Sequence, residues 1–236
     1  MEIAPGIHSL RQNQGGHVHA FLIDDGSELT LIDTLYDTDA RRVVSAIEGL
    51  GRSTSDLRHI ILTHAHRSHL GGLAALKRLS GATVYAHEWE ADIIAGERKA
   101  QGITLRPMHP LLTWLPVYPL QLGLTLGLAP HPPCPVDQWV EDGDRIGPLQ
   151  VLHTPGHSPG HLAFHWPERR ALFAGDAVAT WPKFSPGWPA FNLNTTEHRR
   201  SLGRMAALDV DVVAVGHGEP ITAAGTERVR DAAAMA

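Results

Sequence analysis

The chain has 236 residues, of which 43% are apolar and 19% are charged, and its formal net charge is -5. This length suits one large domain or two small ones, and the negative charge argues against a nucleic-acid backbone as the main partner, because phosphate binding depends on a basic surface. The single cysteine, Cys134, excludes an internal disulfide and fits a reducing compartment.

The N-terminal part of the chain is predicted to alternate strands with helices. It begins without the basic and apolar regions of a secretory signal, so we expect the protein in the cytoplasm. Short apolar segments predict strands, and apolar residues at helical spacing predict the helices between them. The predicted strands cover 17–24, 29–33, 60–62 and 83–86, and the predicted helices cover 39–50, 70–79 and 87–95.

The segment from Pro107 to Val136 contains no Asp, Glu, Lys or Arg. Its part from 111 to 129 has roughly the 20 residues that a membrane helix needs, but prolines and glycines interrupt it, so we predict no membrane contact and interpret 107–136 as a lid or interface insertion. It either packs in the core or between the subunits of a homodimer, or it walls a substrate pocket. In the second case the substrate is lipophilic, because pocket walls are mostly apolar. The aromatic residues expected in the same wall are Trp181, Phe184, Trp188 and Phe191.

The C-terminal part is predicted to contain further strands and two helices around a Gly/Pro-rich loop, 154–161. The predicted strands cover 149–153, 162–166, 171–174 and 210–215, and the predicted helices cover 196–208 and 223–234. No internal repeat or low-complexity linker is visible, so 1–236 is predicted to be one domain. Strands that alternate with helices and also form hairpins indicate a mixed α/β layered domain rather than a purely parallel sheet.

A dense histidine cluster follows the predicted strand 60–62. His64, His66 and His69 lie within six residues, between Thr63 and Gly72. Imidazole suits zinc and neighbouring transition metals, so this density predicts a metal site. Further candidate ligands follow later apolar strands or tight loops, and glycines beside them allow a close backbone approach. These later candidates are His157, Asp176 and His217.

The order of these segments resembles the metallo-β-lactamase superfamily of metal-dependent hydrolases, whose signature is His-x-His-x-Asp-His followed by separate His, Asp and His ligands. The resemblance extends from 31–34 to 216–218. It implies an αββα sandwich of two mixed β-sheets flanked by helices, with the site at one edge of the sheets. It also implies hydrolysis by a metal-bound hydroxide, and we expect an ester, lactone or thioester substrate with an apolar portion.

The same resemblance implies a set of ligands for one or two zinc ions, with iron or manganese as alternatives. One metal is expected on His64, His66 and His157 and a second on His69 and His217, with Asp176 bridging both. Asp33 is expected to hold the loop beneath a ligand. His153 and His161 flank the His157 loop, and they are expected near the site rather than on the metal. The histidines without pattern support are His17, His19, His87, His109 and His131.

Ser68 departs from the family pattern, which has an Asp at this position that binds the second metal and orients the attacking water. A neutral hydroxyl is a weak ligand, and its presence removes one of two carboxylates from the site. Asp176 and Ser68 are therefore the residues on which catalysis is expected to depend. Three outcomes are open. Either the second metal is retained weakly on His69, Asp176, His217 and water, or only the first metal is retained, or the metal geometry is kept while turnover is suppressed. The structural alternative is that Ser68 caps the helix predicted from Leu70.

Two other functions remain open at this stage. A single-iron oxygenase resembling the persulfide dioxygenases of the same superfamily would use the first-metal histidines and Asp176, so it would depend less on an Asp at position 68. A non-catalytic, metal-stabilised binding domain would explain Ser68 as a mark of lost activity. Metal content and oxygen consumption discriminate among these possibilities.

Overall fold

A computed structural model describes residues 1–100, 103, 107–127 and 130–236. Within these residues, two β-sheets stack face to face and helices cover both outer faces. The predicted αββα sandwich of two mixed sheets is confirmed. In the described part of the chain, no helix is both long enough and apolar enough to cross a membrane.

The first sheet has seven strands within the described residues, arranged in chain order. They are β1 (Glu2–Ala4), β2 (Ile7–Gln12), β3 (Val18–Asp24), β4 (Leu29–Ile32), β5 (Leu57–Ile61), β6 (Thr83–Ala86) and β7 (Gln138–Trp139). Strands β1 to β4 pair antiparallel, whereas β4 to β7 pair parallel. Because parallel neighbours end at the same edge, Asp33 after β4 and the histidine cluster after β5 emerge side by side.

The second sheet has five strands within the described residues, in the order β12-β11-β10-β9-β8. They are β8 (Arg145–Ile146), β9 (Leu149–His153), β10 (Leu162–Trp166), β11 (Ala171–Gly175) and β12 (Val212–Val215). β11 and β12 pair parallel, and the other neighbours pair antiparallel. Asp176 and His217, which follow β11 and β12, therefore leave the sheet next to each other.

The described helices have the following bounds: α1 (Gln14–His17), α2 (Arg41–Gly49), α3 (Arg67–Leu70), α4 (Leu73–Ser80), α5 (Glu88–Ile94), α6 (Leu111–Trp114), α7 (Tyr118–Thr125), α8 (Thr195–Met205) and α9 (Gly225–Met235). Helices α2, α4 and α5 bury apolar residues against the first sheet. Helices α8 and α9 do the same against the second sheet.

The main core lies between the two sheets, where the inward positions of the strands are aromatic or branched. Phe21 and Phe173, one from each sheet, meet with ring centroids 5.6 Å apart. Phe164 is fully buried beside them. Burying such a side chain contributes about 1.5–3 kcal/mol, so the inter-sheet layer fixes how the strand ends of the two sheets meet.

Two predicted elements differ from the structure for local reasons. The helix predicted over 70–79 is interrupted at Gly71, whose N–H donates to the Leu35 carbonyl at 2.8 Å. The strand predicted over 210–215 begins only at Val212, because Asp211 pairs with Arg170 instead. The other predicted helices and strands lie within a few residues of the observed ones.

The segment 107–136 forms α6 and α7, which the sequence did not specify, and its residues 128 and 129 lie outside the described residues. Trp114 and Val117 are buried in a small cluster with Trp188 and Phe191. Several leucines of the same helices are exposed, among them Leu112 at 86%. Cys134 lies in a loop and is buried.

Candidate metal centre

The six predicted ligand side chains converge where the strand ends of the two sheets meet. Among the described residues, they form two groups whose ligand atoms lie within 4.8 Å of one another, and Asp176 belongs to both. The first group is His64, His66, His157 and Asp176, and the second is His69, Asp176 and His217. All six are buried, so the two groups form one enclosed polar centre.

Asp176 lies at the middle of this centre. Its Oδ1 is 3.4 Å from His69 Nε2. Its Oδ2 lies 3.2 Å from the Nε2 of His217, 3.5 Å from that of His157 and 3.7 Å from that of His64. A β-carbon at Gly216 would lie 2.0 Å from Asp176 Oδ1. The carboxylate therefore fits because glycine occupies position 216.

In the first group, one ring nitrogen of each imidazole faces a common centre. His66 Nδ1 lies 2.9 Å from His64 Nε2 and 3.1 Å from His157 Nε2. A tetrahedral ion with bonds of about 2.0–2.1 Å separates its ligand atoms by about 3.3 Å. The observed separations within this group, including those to Asp176, bracket that value. The donor set and its spacing thus fit a small divalent metal.

Outer partners set the tautomers of two of these imidazoles. Thr63 Oγ1 donates its proton to Asp33 Oδ2 at 2.8 Å, so it accepts the Nδ1–H of His64 at 2.9 Å. The Nδ1–H of His217 donates to the Gly16 carbonyl at 2.8 Å. In both rings the lone pair is consequently on Nε2, which faces the centre. Such outer partners orient metal-binding histidines and raise their basicity.

Asp33 orients a histidine of each group, His64 through Thr63 and His69 directly. Besides the Thr63 hydroxyl, it accepts the Thr63 N–H at 2.9 Å and the Nδ1–H of His69 at 2.8 Å. Burial lowers the pKa of His69, but the charges of Asp176 and Asp33 outweigh burial and raise that pKa to about 10. Burial raises the pKa of Asp176, but His217, His69 and His64 hold that pKa well below 3.8. Without a cation, a protonated His69 is therefore held between two carboxylates.

The three imidazoles of the first group, unlike that of His69, are neutral at pH 7. Burial lowers the pKa of His66 to about 4. Burial also lowers the pKa of His64 and of His157 well below 6.5. A neutral imidazole is the form that binds a metal. The first group is thus ready for an ion without losing a proton.

Some buried polar atoms of the centre have no hydrogen-bond partner within the described structure. They are Nε2 of His69, Oδ1 of Asp176 and Nδ1 of His157. Leaving a buried polar atom unpaired costs about 1–3 kcal/mol. A cation between His69 and Asp176 would satisfy both of their free atoms. His157 Nδ1 faces away from its group, and it lacks the outer partner that His64 and His217 have.

Glu90 is a supporting residue that the sequence did not reveal. Its Oε1 accepts the Ser158 hydroxyl at 2.7 Å and the Gly160 N–H at 2.9 Å, and its Oε2 accepts the Ala65 N–H at 3.1 Å. These bonds join the histidine-cluster loop to the His157 loop. In the sequence Glu90 is one acidic residue within a predicted helix, so no local signal distinguishes it from a solvated side chain.

Ser68 lies inside α3, so the alternative that it caps the helix predicted from Leu70 is wrong. The N-cap of α3 is His66 and the N-cap of α4 is Gly72. The helix breaks at Gly71, which moves the capping position past Ser68. Ser68 instead lines the cavity that Asp176 also lines.

The histidines that flank the His157 loop lie outside both groups, as expected. His161 has Thr154 Oγ1 at 2.9 Å from its Nδ1, and its Nε2 accepts the Asp176 N–H at 3.2 Å. His161 thus positions the loop of Asp176. His153 lies 2.8 Å from the Pro159 carbonyl and stacks on His87. The other histidines without pattern support also lie outside the two groups.

A cavity of about 160 Å³ opens over the centre. Apolar and aromatic side chains form much of its wall. The lining residues are Gly15, Tyr36, His66, Arg67, Ser68, Pro119, Leu120, Gly123, Leu124, Asp176, Trp188, Phe191 and His217. Part of α7 therefore forms the pocket wall, and so do Trp188 and Phe191. Two expected wall residues lie elsewhere: Trp181 packs beside His17, and Phe184 lies under Arg228.

Comparison with known proteins gives a consistent family match. A family model described as the metallo-beta-lactamase superfamily matches residues 13–217. The uncharacterized protein YobT of Bacillus subtilis (strain 168) is 31% identical over 228 residues, which cover 91% of this chain and 88% of that protein. The probable metallo-hydrolase YflN of the same strain is 26% identical and covers 94% of this chain and 87% of its own length.

A relative from Rhizobium meliloti (strain 1021) has a more specific name, hydroxyacylglutathione hydrolase. It is 28% identical over 185 residues, which cover 76% of this chain and 55% of that protein. This chain therefore matches little more than half of that enzyme.

Solved structures share the fold. The metallo-beta-lactamase family protein TTHA1429 of Thermus thermophilus superposes with a TM-score of 0.70 at 29% identity, covering 99% of this chain and 80% of that one. TTHA1623 in a di-iron-bound form superposes with a TM-score of 0.65 at 28% identity, covering 93% and 96%.

Proposed function

The chain belongs to the metallo-beta-lactamase superfamily, and we propose that it is a metal-dependent hydrolase of an ester, lactone or thioester with an apolar portion. The observation that carries this proposal is the position of Asp176, which faces four imidazoles at 3.2–3.7 Å beneath a largely apolar cavity. Neutral imidazoles around a shared carboxylate suit a divalent transition metal.

Two positions are available for a metal. His64, His66 and His157 would hold one ion and His69 and His217 a second, with Asp176 shared between them. We propose zinc, and the di-iron-bound form of TTHA1623 makes iron the first alternative and manganese the next. When bound, such an ion supplies hydroxide at neutral pH and stabilises negative charge on the substrate oxygen.

The protein's own residues hold and orient the reacting groups. Asp33 and Thr63 keep the imidazoles aimed at the centre, while Asp176 supplies negative charge to both positions. Hydrolysis consumes one water: its oxygen bonds to the acyl carbon, the bond to the leaving oxygen or sulfur breaks, and the leaving group takes up a proton. The apolar wall limits access of further water to the acyl group.

We propose that the second position is kept despite Ser68. It retains three protein ligands, His69, Asp176 and His217, and that number is compatible with catalytic zinc. Ser68 lines the cavity beside this group, so a water can occupy the space that an Asp side chain would fill. We expect weaker binding at this position, because a carboxylate charge is missing.

The cavity wall supports a lipophilic acyl portion. Leu120 and Leu124 of α7 line the cavity together with Trp188 and Phe191, so we propose that the insertion at 107–136 acts as a lid of this pocket within a single domain. A thioester belongs among the candidate substrates because the relative from Rhizobium meliloti is named a hydroxyacylglutathione hydrolase.

The proposal is tested by measuring metal content and hydrolysis together. Elemental analysis is performed on the protein and on Ser68→Asp, followed by assays with a panel of esters, lactones and thioesters of increasing acyl length. We expect metal in both proteins, a higher occupancy of the second position in Ser68→Asp, and hydrolysis that improves with acyl length.

Other outcomes would identify the alternatives. One iron per chain with oxygen consumption and no hydrolysis would indicate the oxygenase. Tightly bound metal with no turnover in either protein would indicate a non-catalytic domain. If Ser68→Asp raises neither metal occupancy nor hydrolysis, the two-metal hydrolase is excluded.

A further inference from the structure

The cavity over the metal centre contains a permanent positive charge. Arg67 lies between His66 and Ser68 in the chain, and all three residues line this cavity. Among the described residues that line this cavity, Arg67 is the side chain that carries a fixed cation. The rest of the wall away from the metal centre is mainly apolar. A cation in such a wall is unusual, since pocket walls carry few polar groups and those few fix the orientation of a ligand.

The guanidinium group of Arg67 is held in place by Tyr36. Its Cζ lies 4.2 Å from the centroid of the Tyr36 ring, and its Nη1 donates to the Tyr36 carbonyl at 2.5 Å. A β-carbon at Gly71 would lie 2.6 Å from Arg67 Nη1 and 2.2 Å from the Tyr36 carbonyl oxygen. Glycine at position 71 thus leaves the space that the guanidinium occupies. The contacts with Tyr36 therefore fix the orientation of the Arg67 side chain, unlike that of a freely moving surface arginine.

Most of the hydrogen-bonding capacity of Arg67 is unused within the described structure. The bond to Tyr36 occupies one N–H, whereas a guanidinium presents a fork of several donors. Within the described residues, no carboxylate lies within 4.0 Å of it; by contrast, Arg42 nearby pairs with Asp37 at 3.4 Å. Arg67 is also half-buried. Its charge is therefore partly withdrawn from water and lacks a close partner of opposite sign among these residues.

We propose that Arg67 binds a carboxylate on the substrate, so that the substrate is an ester, lactone or thioester whose apolar acyl portion carries a second, ionised group. This inference rests on the proposed function and specifies its substrate class. A planar guanidinium binds a carboxylate through parallel N–H···O bonds, with both strength and direction. Arg67 adjoins His66, so the anion binds beside the metal centre while Leu120 and Leu124 contact the hydrocarbon chain.

The test compares two nitrophenyl esters whose acyl chains have equal length, nitrophenyl pentanoate and the monoester nitrophenyl glutarate, which ends in a carboxylate. For the metal-loaded protein we expect a lower KM for the glutarate. Arg67→Gln is expected to raise the KM for the glutarate by about 10- to 100-fold, the range for a hydrogen bond to a charged group. The KM for the pentanoate and both kcat values should change little. Arg67→Lys should restore part of the difference, because it keeps the charge but not the fork.

The matched control is Arg78→Gln, which removes an exposed arginine of α4 outside the cavity wall. We expect this variant to keep both KM values. If Arg67→Gln changes the two esters equally, or changes neither, Arg67 does not select an anion and the inference is wrong, although the hydrolase proposal stands.

A binding measurement separates this inference from the proposed function. Phenylbutanesulfonate and phenylbutanol are titrated calorimetrically into the metal-loaded protein, since a weakly basic sulfonate is a poor metal ligand. We expect the sulfonate to bind more tightly, and Arg67→Gln to abolish that preference while the alcohol binds as before. This preference without any ester hydrolysis would refute the hydrolase and keep the anion site. Equal binding of both compounds to the unmodified protein would refute the anion site.

Discussion

The candidate metal centre and helix α7 border the same cavity, but the centre is held by different interactions from those that hold α7 and the neighbouring α6. In the centre, the rings of His64, His69 and His217 each have an outer hydrogen-bond partner, and the rings are buried. Hydrogen bonds have directions, so a small displacement there would break several of them. The centre is consequently expected to tolerate very few substitutions.

The helices α6 and α7 depend instead on a few apolar anchors. Trp114 and Val117 are buried, and the Trp114 indole donates to the His109 carbonyl at 3.2 Å. Leu112 and Leu115 of the same stretch are 86% and 62% exposed. Apolar contacts have no preferred direction, and they are lost in proportion to the area removed. Substitutions at the residues of α7 that line the cavity should therefore alter which substrate binds and leave the hydrolytic chemistry unchanged.

The largest expected effect is that of Asp176→Asn, because both groups lose their shared charged ligand. We expect metal content to fall at both positions and hydrolysis to fall by roughly 10³-fold, since the electrostatic contribution of a metal site amounts to several kcal/mol. Elemental analysis after dialysis and the ester assay measure these losses. Asp231→Asn, an exposed residue of α9, serves as the control. Full metal content in Asp176→Asn would show that the assigned centre is wrong.

Glu90→Ala comes next, because it leaves the donors of Ala65, Ser158 and Gly160 buried without an acceptor. We expect the free energy of unfolding to fall by about 3–5 kcal/mol, as several buried donors lose their bonds together. Chemical denaturation measures this quantity. Glu90→Gln should lose less, since its amide oxygen still accepts. Glu88→Ala, an exposed neighbour in the same helix, should be near neutral, and an equal loss in Glu88→Ala would contradict the buried role of Glu90.

A smaller effect is expected for Asp33→Asn. The amide cannot accept from Thr63 and His69 as the carboxylate does. Removing such an outer partner typically lowers metal affinity by about 10- to 100-fold, and competition with a chromophoric chelator measures it. Unchanged affinity would mean that the orientation of His69 and Thr63 does not depend on Asp33.

The smallest effect is expected in the wall. Leu120→Ala enlarges the cavity and should raise the KM for a long-chain ester by about 3- to 10-fold, near the lower end of what apolar contacts discriminate. Metal content should stay the same. Leu112→Ala, an exposed leucine outside the cavity, should leave the KM unchanged. If Leu120→Ala reduced metal content, the wall and the centre would not be independent.

The sandwich and the positions of the candidate ligands could be predicted because both follow from a pattern that is repeated along the whole chain. Apolar strands followed by His or Asp recur in a fixed order, and parallel pairing brings their ends together. Strand β2 was not predicted from the sequence. Its buried face contains polar Ser9 as well as apolar Ile7, so the strand lacks a regular alternation of apolar and polar residues. The alternation signal requires one consistently apolar face.

Other features depend on contacts that no local pattern encodes. Glu90 is 25 residues from Ala65 and 70 from Gly160, with which it bonds. The Gly16 carbonyl meets His217 across 201 residues. The helices of 107–136 have mostly apolar residues with no preferred face, so their boundaries could not be read from periodicity. Such positions are decided only when the two sheets have packed together.

Each of the two ligand groups contains side chains from both sheets. The histidine cluster after β5 of the first sheet contributes to both groups, and so does Asp176 after β11 of the second sheet. An ion bound at either position would therefore cross-link the two halves of the sandwich non-covalently. By thermodynamic linkage, a metal present at a thousandfold excess over its Kd adds about 4 kcal/mol to the free energy of unfolding. The ion would then act as a folding partner as well as a reagent, and chelation would lower the melting temperature of the whole chain as a single transition.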